Sequence, residues 1–307
     1  MGTVWDRNGL LHRQMEHLAA REARDGVRRL YKVPWPEVAA ELPAYGERVR
    51  ARIAQHGESH PFIRTDYALE VLDGEGGLFP PQRIAQLQGD HPRLHRAEAG
   101  KKYAGLLDVA GEEEDGSGPE AFDNASRRDS TALTIVEVET GGRELPLYRV
   151  VDRMAWTGTK HVALHDQLVD LARNVWRLSA LVVDATGVGA GLASFLADQL
   201  GKGPRRVIVE PFVFTGKSKS DLGWAFVGLI DGARIKEYAD DGADITRIYR
   251  HQLAACTYEV LPGPGKLLRW SVPASRGHDD LLISTALTAR LDEIDWWDRM
   301  ARGHAGP

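Results

Sequence analysis

The chain has 307 residues, 43% hydrophobic and 27% charged, which is enough apolar material for one substantial core plus an appendage and excludes a disordered polymer. A single cysteine, Cys256, excludes an internal disulfide framework and a multi-cysteine zinc site, and suits a reducing, cytoplasmic compartment. The formal net charge of −5 excludes a global basic surface of the kind that wraps nucleic acid, and the absence of a long apolar run or signal-peptide start argues against membrane insertion or export.

Residues 6–57 are rich in Arg, Glu, Ala and Leu, and Leu10, Leu11, Met15, Leu18 and Val27 recur at roughly helical spacing. Pro34, Pro36 and Pro43 divide this stretch into short helices, HPFIRTDYALEVL (60–72) reads as extended, and the two prolines of GGLFPPQRIAQL are placed to start a helix. Residues 1–98 are therefore read as a helical appendage or linker, and 99–307 as the main domain. KYAGLLDVA is a continuous apolar run ending in Asp108, the pattern of a strand buried on both faces. A long connection, 111–130, follows and carries Glu112, Glu113, Glu114 and Asp115. TALTIVEVE and LPLYRVVDRMAW flank Gly141 and Gly142 as a hairpin.

The pattern then alternates: a helix over 161–178, the strand ALVVDA, a helix over 189–200 and the strand RRVIVEPFVF. A helix over 218–230, the short RIKEY, a helix over 245–254, the hairpin CTYEVLPGPGKLLRWSV and a helix DDLLISTALTARL complete the chain. Three antiparallel strands continued by parallel strands, flanked by helices, is the chain order of an α/β ribonuclease-H-like mixed sheet; a dinucleotide-binding fold would open with βαβ.

Three acidic positions stand out. Asp108 ends the first central strand, Asp184 ends the fourth, and Asp279 with Asp280 opens the last helix after His278. Neighbouring strands lie about 4.8 Å apart, so carboxylates leaving the same sheet edge can share divalent cations. Two such ions activate a water and stabilise the leaving oxygen of a phosphodiester, and oxygen-only ligands suit Mg²⁺ or Mn²⁺. Each residue alone has a plainer reading: an Asp after a strand forms turns, and Asp279 is placed to cap its helix. The three together are harder to obtain from capping.

The chain resembles the nuclease domain of tailed-phage terminase large subunits. The resemblance covers residues 60–291 and rests on LLDVAGEEEDGSG…RRDSTALTIVEV, ALVVDATGVGAGLASFL, FTGKSKSDLGWAFVGLIDGARIKEY and GHDDLLISTALTA, preceded by a segment like the one joining packaging motor to nuclease. It implies a metal-dependent DNA endonuclease with two Mg²⁺ or Mn²⁺ ions on Asp108, Asp184 and Asp279. Asp280 is an alternate or supporting ligand, and Asp129 and His278 are supporting residues. It implies double-stranded DNA as substrate, and the portal or prohead, a small terminase subunit and a packaging ATPase domain as partners in an infected or prophage-bearing cell. The ATPase loop GxxxxGK[ST] is not matched, because PFVFTGKS has Pro211 at its first glycine, so the motor is expected to be missing and the chain to be an excised nuclease or a shortened remnant.

Arg127 with Arg128, Lys217 with Lys219, and Arg205 with Arg206 are candidate DNA contacts, each equally an ordinary solvated pair; Trp156, near Lys160 and His161, is a candidate base-stacking residue. A junction resolvase or transposase would use the same carboxylates, and a non-catalytic DNA-binding module would not need them. A nucleotide-binding oxidoreductase is the rival from another class, since GVGAGL follows ALVVDA and Glu210 ends the next strand. Against it, Leu192 occupies the third small-residue position and Asp184 puts an anion beside the phosphate site.

Overall fold

The computed structural model describes residues 10–56, 58, 63–70, 75–110, 130–141, 145–158, 161–203, 205–261 and 267–296. The N-terminal region folds as α1 (Leu10–Asp25), α2 (Trp35–Glu41) and α3 (Pro43–His56). Proline sets two of these boundaries: Pro36 lies in the first turn of α2 and Pro43 begins α3, positions whose missing N–H has no helical partner to lose. The expected extended stretch after α3 is instead a single wide helical turn at Ile63–Tyr67, closed by Ala68 N–H donating to the Ile63 carbonyl at 2.9 Å. Its apolar residues are too few and too irregularly spaced for period-two reading to tell a strand from a turn.

A short strand β1 (Glu75–Gly77) and α4 (Pro81–Leu87) follow, and Leu78, Phe79 and Leu87 are buried in the main core. Arg83 of α4 forms a two-pronged ion pair with Asp231, 2.9 and 3.1 Å. The central elements are β2 (Tyr103–Asp108), β3 (Ser130–Glu139), β4 (Leu147–Thr157), α5 (His161–Asp170), β5 (Ala180–Asp184), α6 (Gly189–Leu200), β6 (Ile208–Phe212), α7 (Gly216–Asp231) and β7 (Ile235–Lys236). Then come α8 (Asp244–Ala255), β8 (Thr257–Val260), β9 (Leu268–Ser271) and α9 (Asp280–Ala286), which tightens into a 3₁₀ turn at Leu287–Glu293.

Six strands form one sheet in the order β6-β5-β2-β3-β4-β7. β2, β3 and β4 are successively antiparallel, while β5 joins β2, β6 joins β5 and β7 joins β4 in parallel. This is the ribonuclease-H-like mixed sheet expected from the chain order. The hairpin β8-β9 does not extend it; with β1 it makes a separate antiparallel sheet of three strands.

Alternation divides the central strands between two cores. Ala104, Leu106, Ala180 and Val182 face α7, α8 and α9, whereas Tyr103, Leu107, Leu181 and Val183 face α5 and α6. The second core is anchored by Trp176, edge-on to Tyr103 at 5.5 Å. Trp176 lies beyond the point where α5 widens at Leu171–Val175, and Arg177, at φ 47°, ends the helical path before the residue 178 that periodicity suggested. Cys256 is fully buried, and burial pushes its thiol up to about 12. Among the described residues no helix is long and apolar enough to cross a membrane.

Candidate metal centre

The register of the two central parallel strands places the site. Leu107 pairs with Val183, so Asp108 and Asp184 end their strands at the same level. Each continues the series that faces α7–α9 (104, 106, 108 and 180, 182, 184), so both carboxylates leave the sheet on the face where α9 begins. Asp279 and Asp280 stand at that beginning. Four carboxylates from three elements thus converge, and their effect is visible on Asp108: burial first, then the negative charges of Asp280, Asp184 and Asp279, push its carboxyl well above the usual range, with Lys219 opposing. Asp184 is only 7% exposed; burial raises its carboxyl too, restrained by hydrogen bonds from Thr186 and the Val109 N–H.

Each acid except Asp108 is held by a specific neighbour. Thr186 N–H donates to Asp184 Oδ1 at 2.8 Å. Ser130 N–H, at the start of β3, donates to Asp280 Oδ2 at 2.9 Å. Lys219 Nζ lies 3.9 Å from Asp279 Oδ2. Asp279 occupies the N-cap position of α9 yet makes no side-chain cap hydrogen bond, so the plain capping explanation of this residue fails. Among the described residues, no three His, Cys, Asp or Glu side chains stand at ready-made metal-ligand spacing. The donor set nevertheless suits a hard divalent cation: it is all carboxylate oxygen and carries far more negative charge than one lysine offsets.

The loops around the site interlock. The turn after β5 reverses at Gly187, φ 54°, and Gly189 starts α6 so close behind Asp184 that a Cβ there would stand 2.3 Å from the Asp184 carbonyl oxygen. Thr186 Oγ1 accepts from Phe214 N–H at 2.8 Å, tying this turn to the start of α7. There Thr215 and Ser218 form a reciprocal capping box, and Lys219 follows in the first turn. A buried ladder lies beneath. Ser284 Oγ of α9 donates to the Leu106 carbonyl at 2.7 Å and lies 2.9 Å from Thr134 Oγ1, and Thr285 Oγ1 accepts from Arg153 Nε at 3.2 Å. Arg153 is itself paired with Glu237 at 2.6 Å.

This ladder was not legible from sequence, because buried hydroxyls on a helix have no spacing signature. Ser284→Ala is expected to lower stability by about 1–3 kcal/mol, since a buried acceptor loses its donor. Thermal melts check this; a loss of cleavage larger than the loss of folded protein would show that the ladder also aligns α9 with β2.

Of the other expected residues, Lys219 faces the carboxylates, while Lys217 is exposed and paired with Asp221. His278 is half-buried just before Asp279, and Trp156 is half-buried at the end of β4. Arg205 and Arg206 are exposed. Arg127, Arg128, Asp129 and Lys160 lie outside the described residues, as does the side chain of His161. Glu210 lies 4.0 Å from Arg290.

No family model matches the chain, and no curated protein sequence does. Solved structures do. The large terminase of the thermophilic bacteriophage D6E matches over 95% of this chain and 62% of its own length, at 9% identity and a TM-score of 0.54, and its ADP complex over 95% and 61%, at 10% and 0.54. Over that span the chain shares its fold with a phage large terminase. The large terminase nuclease of thermophilic phage G20c, solved with bound magnesium, matches over 70% of this chain and 96% of its own, at 16% identity and a TM-score of 0.49. The chain spans about 62% of the length of the D6E large terminase.

Proposed function

We propose that this chain is a metal-dependent DNA endonuclease, a hydrolase of phosphodiester bonds, acting as the cutting domain of a phage genome-packaging terminase. The observation that carries the reading is the convergence of Asp108, Asp184, Asp279 and Asp280 on one edge of the sheet, with Asp108 pushed up by burial and by the other three. Asp108, Asp184 and the α9 pair would hold two Mg²⁺ or Mn²⁺ ions, which supply Lewis acidity for water attack on a DNA phosphodiester and for departure of its 3′ oxygen. Within the α9 pair, Asp279 is proposed as the ligand and Asp280 as an alternate or supporting one.

The chain's own residues do the rest. Thr186 fixes one oxygen of Asp184 and Ser130 fixes one oxygen of Asp280, which orients both carboxylates at the sheet edge. Asp129, His278, Arg127, Arg128 and Lys217 are proposed as flanking groups toward the DNA backbone, whose recognition is expected to be weak in sequence preference and strongly salt-dependent. A packaging ATPase, the portal and a small terminase subunit are the proposed partners. The dinucleotide reading gains no support: the Asp184 carboxylate, held by Thr186 N–H, puts an anion beside the glycine turn where a pyrophosphate would lie.

The test is cleavage of supercoiled plasmid with Mn²⁺, Mg²⁺ or EDTA, beside Asp184→Ala and with a four-way junction as second substrate. Nicking and linearisation that EDTA and Asp184→Ala each abolish are expected. Cleavage indifferent to both would sink the reading, and a strong preference for the junction would move it to a resolvase.

A further inference from the structure

Lys219 is built into the carboxylate site rather than onto the surface near it. The capping box at Thr215 and Ser218 fixes the start of α7, and the Lys219 carbonyl accepts from the Trp270 indole N–H at 2.8 Å. The same indole passes under the lysine's ammonium, 5.5 Å from the ring centroid, and fits there because residue 223 is glycine; a Cβ would stand 2.4 Å from Trp270 Nε1. The anchored backbone and the indole face thus direct the side chain, which places Nζ 3.9 Å from Asp279 Oδ2. The charges acting most strongly on Asp108 are three carboxylates and one cation, and the cation is Lys219. Lys202, by contrast, makes an exposed pair with Asp198 one helical turn away, the ordinary solvated arrangement.

We propose that Lys219 is the resident counter-cation of the carboxylate site, occupying electrostatically the place of a divalent ion and competing with it. The inference rests on the metal-site reading above and specifies how that site is regulated. A monovalent ammonium neutralises part of the charge that would otherwise draw in the first metal ion, so metal affinity without nucleic acid is held down. A backbone phosphate near the cleft offers Lys219 an alternative anion. Once the ammonium has moved to it, Asp279 and its neighbours are left to the metal. Metal and DNA then strengthen one another's binding by the same factor, as linkage requires.

The direction of the effect follows from Coulomb's law: a unit positive charge roughly 5 Å from a doubly charged ion, even in water, opposes it by an amount equivalent to about a tenfold change in affinity. The experiment is calorimetric titration of the DNA-free protein with Mn²⁺, comparing wild type with Lys219→Met, which keeps the stem over Trp270, Lys219→Arg, which keeps the charge, Lys202→Met and Asp184→Ala. Expected is about tenfold tighter Mn²⁺ binding in Lys219→Met, and near wild-type affinity in Lys219→Arg and Lys202→Met. Unchanged or weaker binding in Lys219→Met, with saturable binding lost in Asp184→Ala, would overturn the counter-cation role and leave the metal site standing. Absence of saturable Mn²⁺ binding in wild type and Asp184→Ala alike would overturn both.

Discussion

Asp108→Asn is expected to abolish metal-dependent cleavage, by at least about a thousandfold, while raising the melting temperature of the metal-free protein. The two effects have one origin. Asp108 faces Asp184, Asp279 and Asp280 at the edge of the sheet, and burial with those charges pushes its carboxyl well above the usual range. A group whose folded pKa is raised binds its proton more tightly in the folded state. Stability is therefore highest below the unfolded value and falls as pH rises through the folded one; above that, the ionised carboxylate strains the fold by its full amount. Asparagine removes the charge and keeps the shape. At pH 7.5 with EDTA it is expected to gain roughly 1–2 kcal/mol, a few degrees in a scan, and the gain should shrink as the pH is lowered. Saturating Mn²⁺ should reverse the order, stabilising wild type and leaving the variant behind. A variant that melts lower than wild type in EDTA at every pH would show that Asp108 is held by a partner rather than repelled.

Gly189→Ala is expected to cost about 2–4 kcal/mol and at least a hundredfold in cleavage rate, an unusual penalty for one methyl group. The methyl would stand 2.3 Å from the Asp184 carbonyl oxygen, and that oxygen is backbone, so either α6 backs away or the end of β5 moves. Either shift displaces the Asp184 carboxylate from its hydrogen bond with Thr186. The neighbouring Gly191→Ala is the matched control. It is exposed on α6 with nothing within 4 Å of its would-be Cβ, and alanine is the better helix former by up to about 1 kcal/mol. Melting curves and plasmid cleavage on the two variants test the packing turn behind the aspartate, which is expected to be sensitive at Gly189 and insensitive at Gly191.

Much of the sheet was readable in advance because its strands announce themselves by burial. YAGLLD and ALVVD are nearly unbroken apolar runs, the signature of strands covered on both faces, STALTIVEVE is rich in β-branched residues, and the glycine-marked hairpin and the helix at 189–200 followed from local chemistry. The three-stranded sheet escaped notice because β1 is only Glu-Gly-Gly and gains its identity from pairing with β8, some 180 residues later, which no local pattern encodes. The carboxylates were found by their positions at element ends. Which of Asp279 and Asp280 turns toward Asp108 was not readable, since adjacent helical residues diverge by about 100° and only the docking of α9 decides between them. Lys219 looked like half of a surface pair with Lys217, and a two-residue difference in helical phase separates an exposed lysine from one aimed at the site.

Cys256 lies sealed in the main core, its thiol inert near neutral pH because burial holds it protonated. It is also the sole native thiol in the sequence. A cysteine introduced anywhere on the surface would accordingly be the one site that reacts, without any need to delete the native residue. A spin label or fluorophore placed singly beside the carboxylates or on α1–α3 would then report its local environment, and its response to metal, in an otherwise unmodified chain.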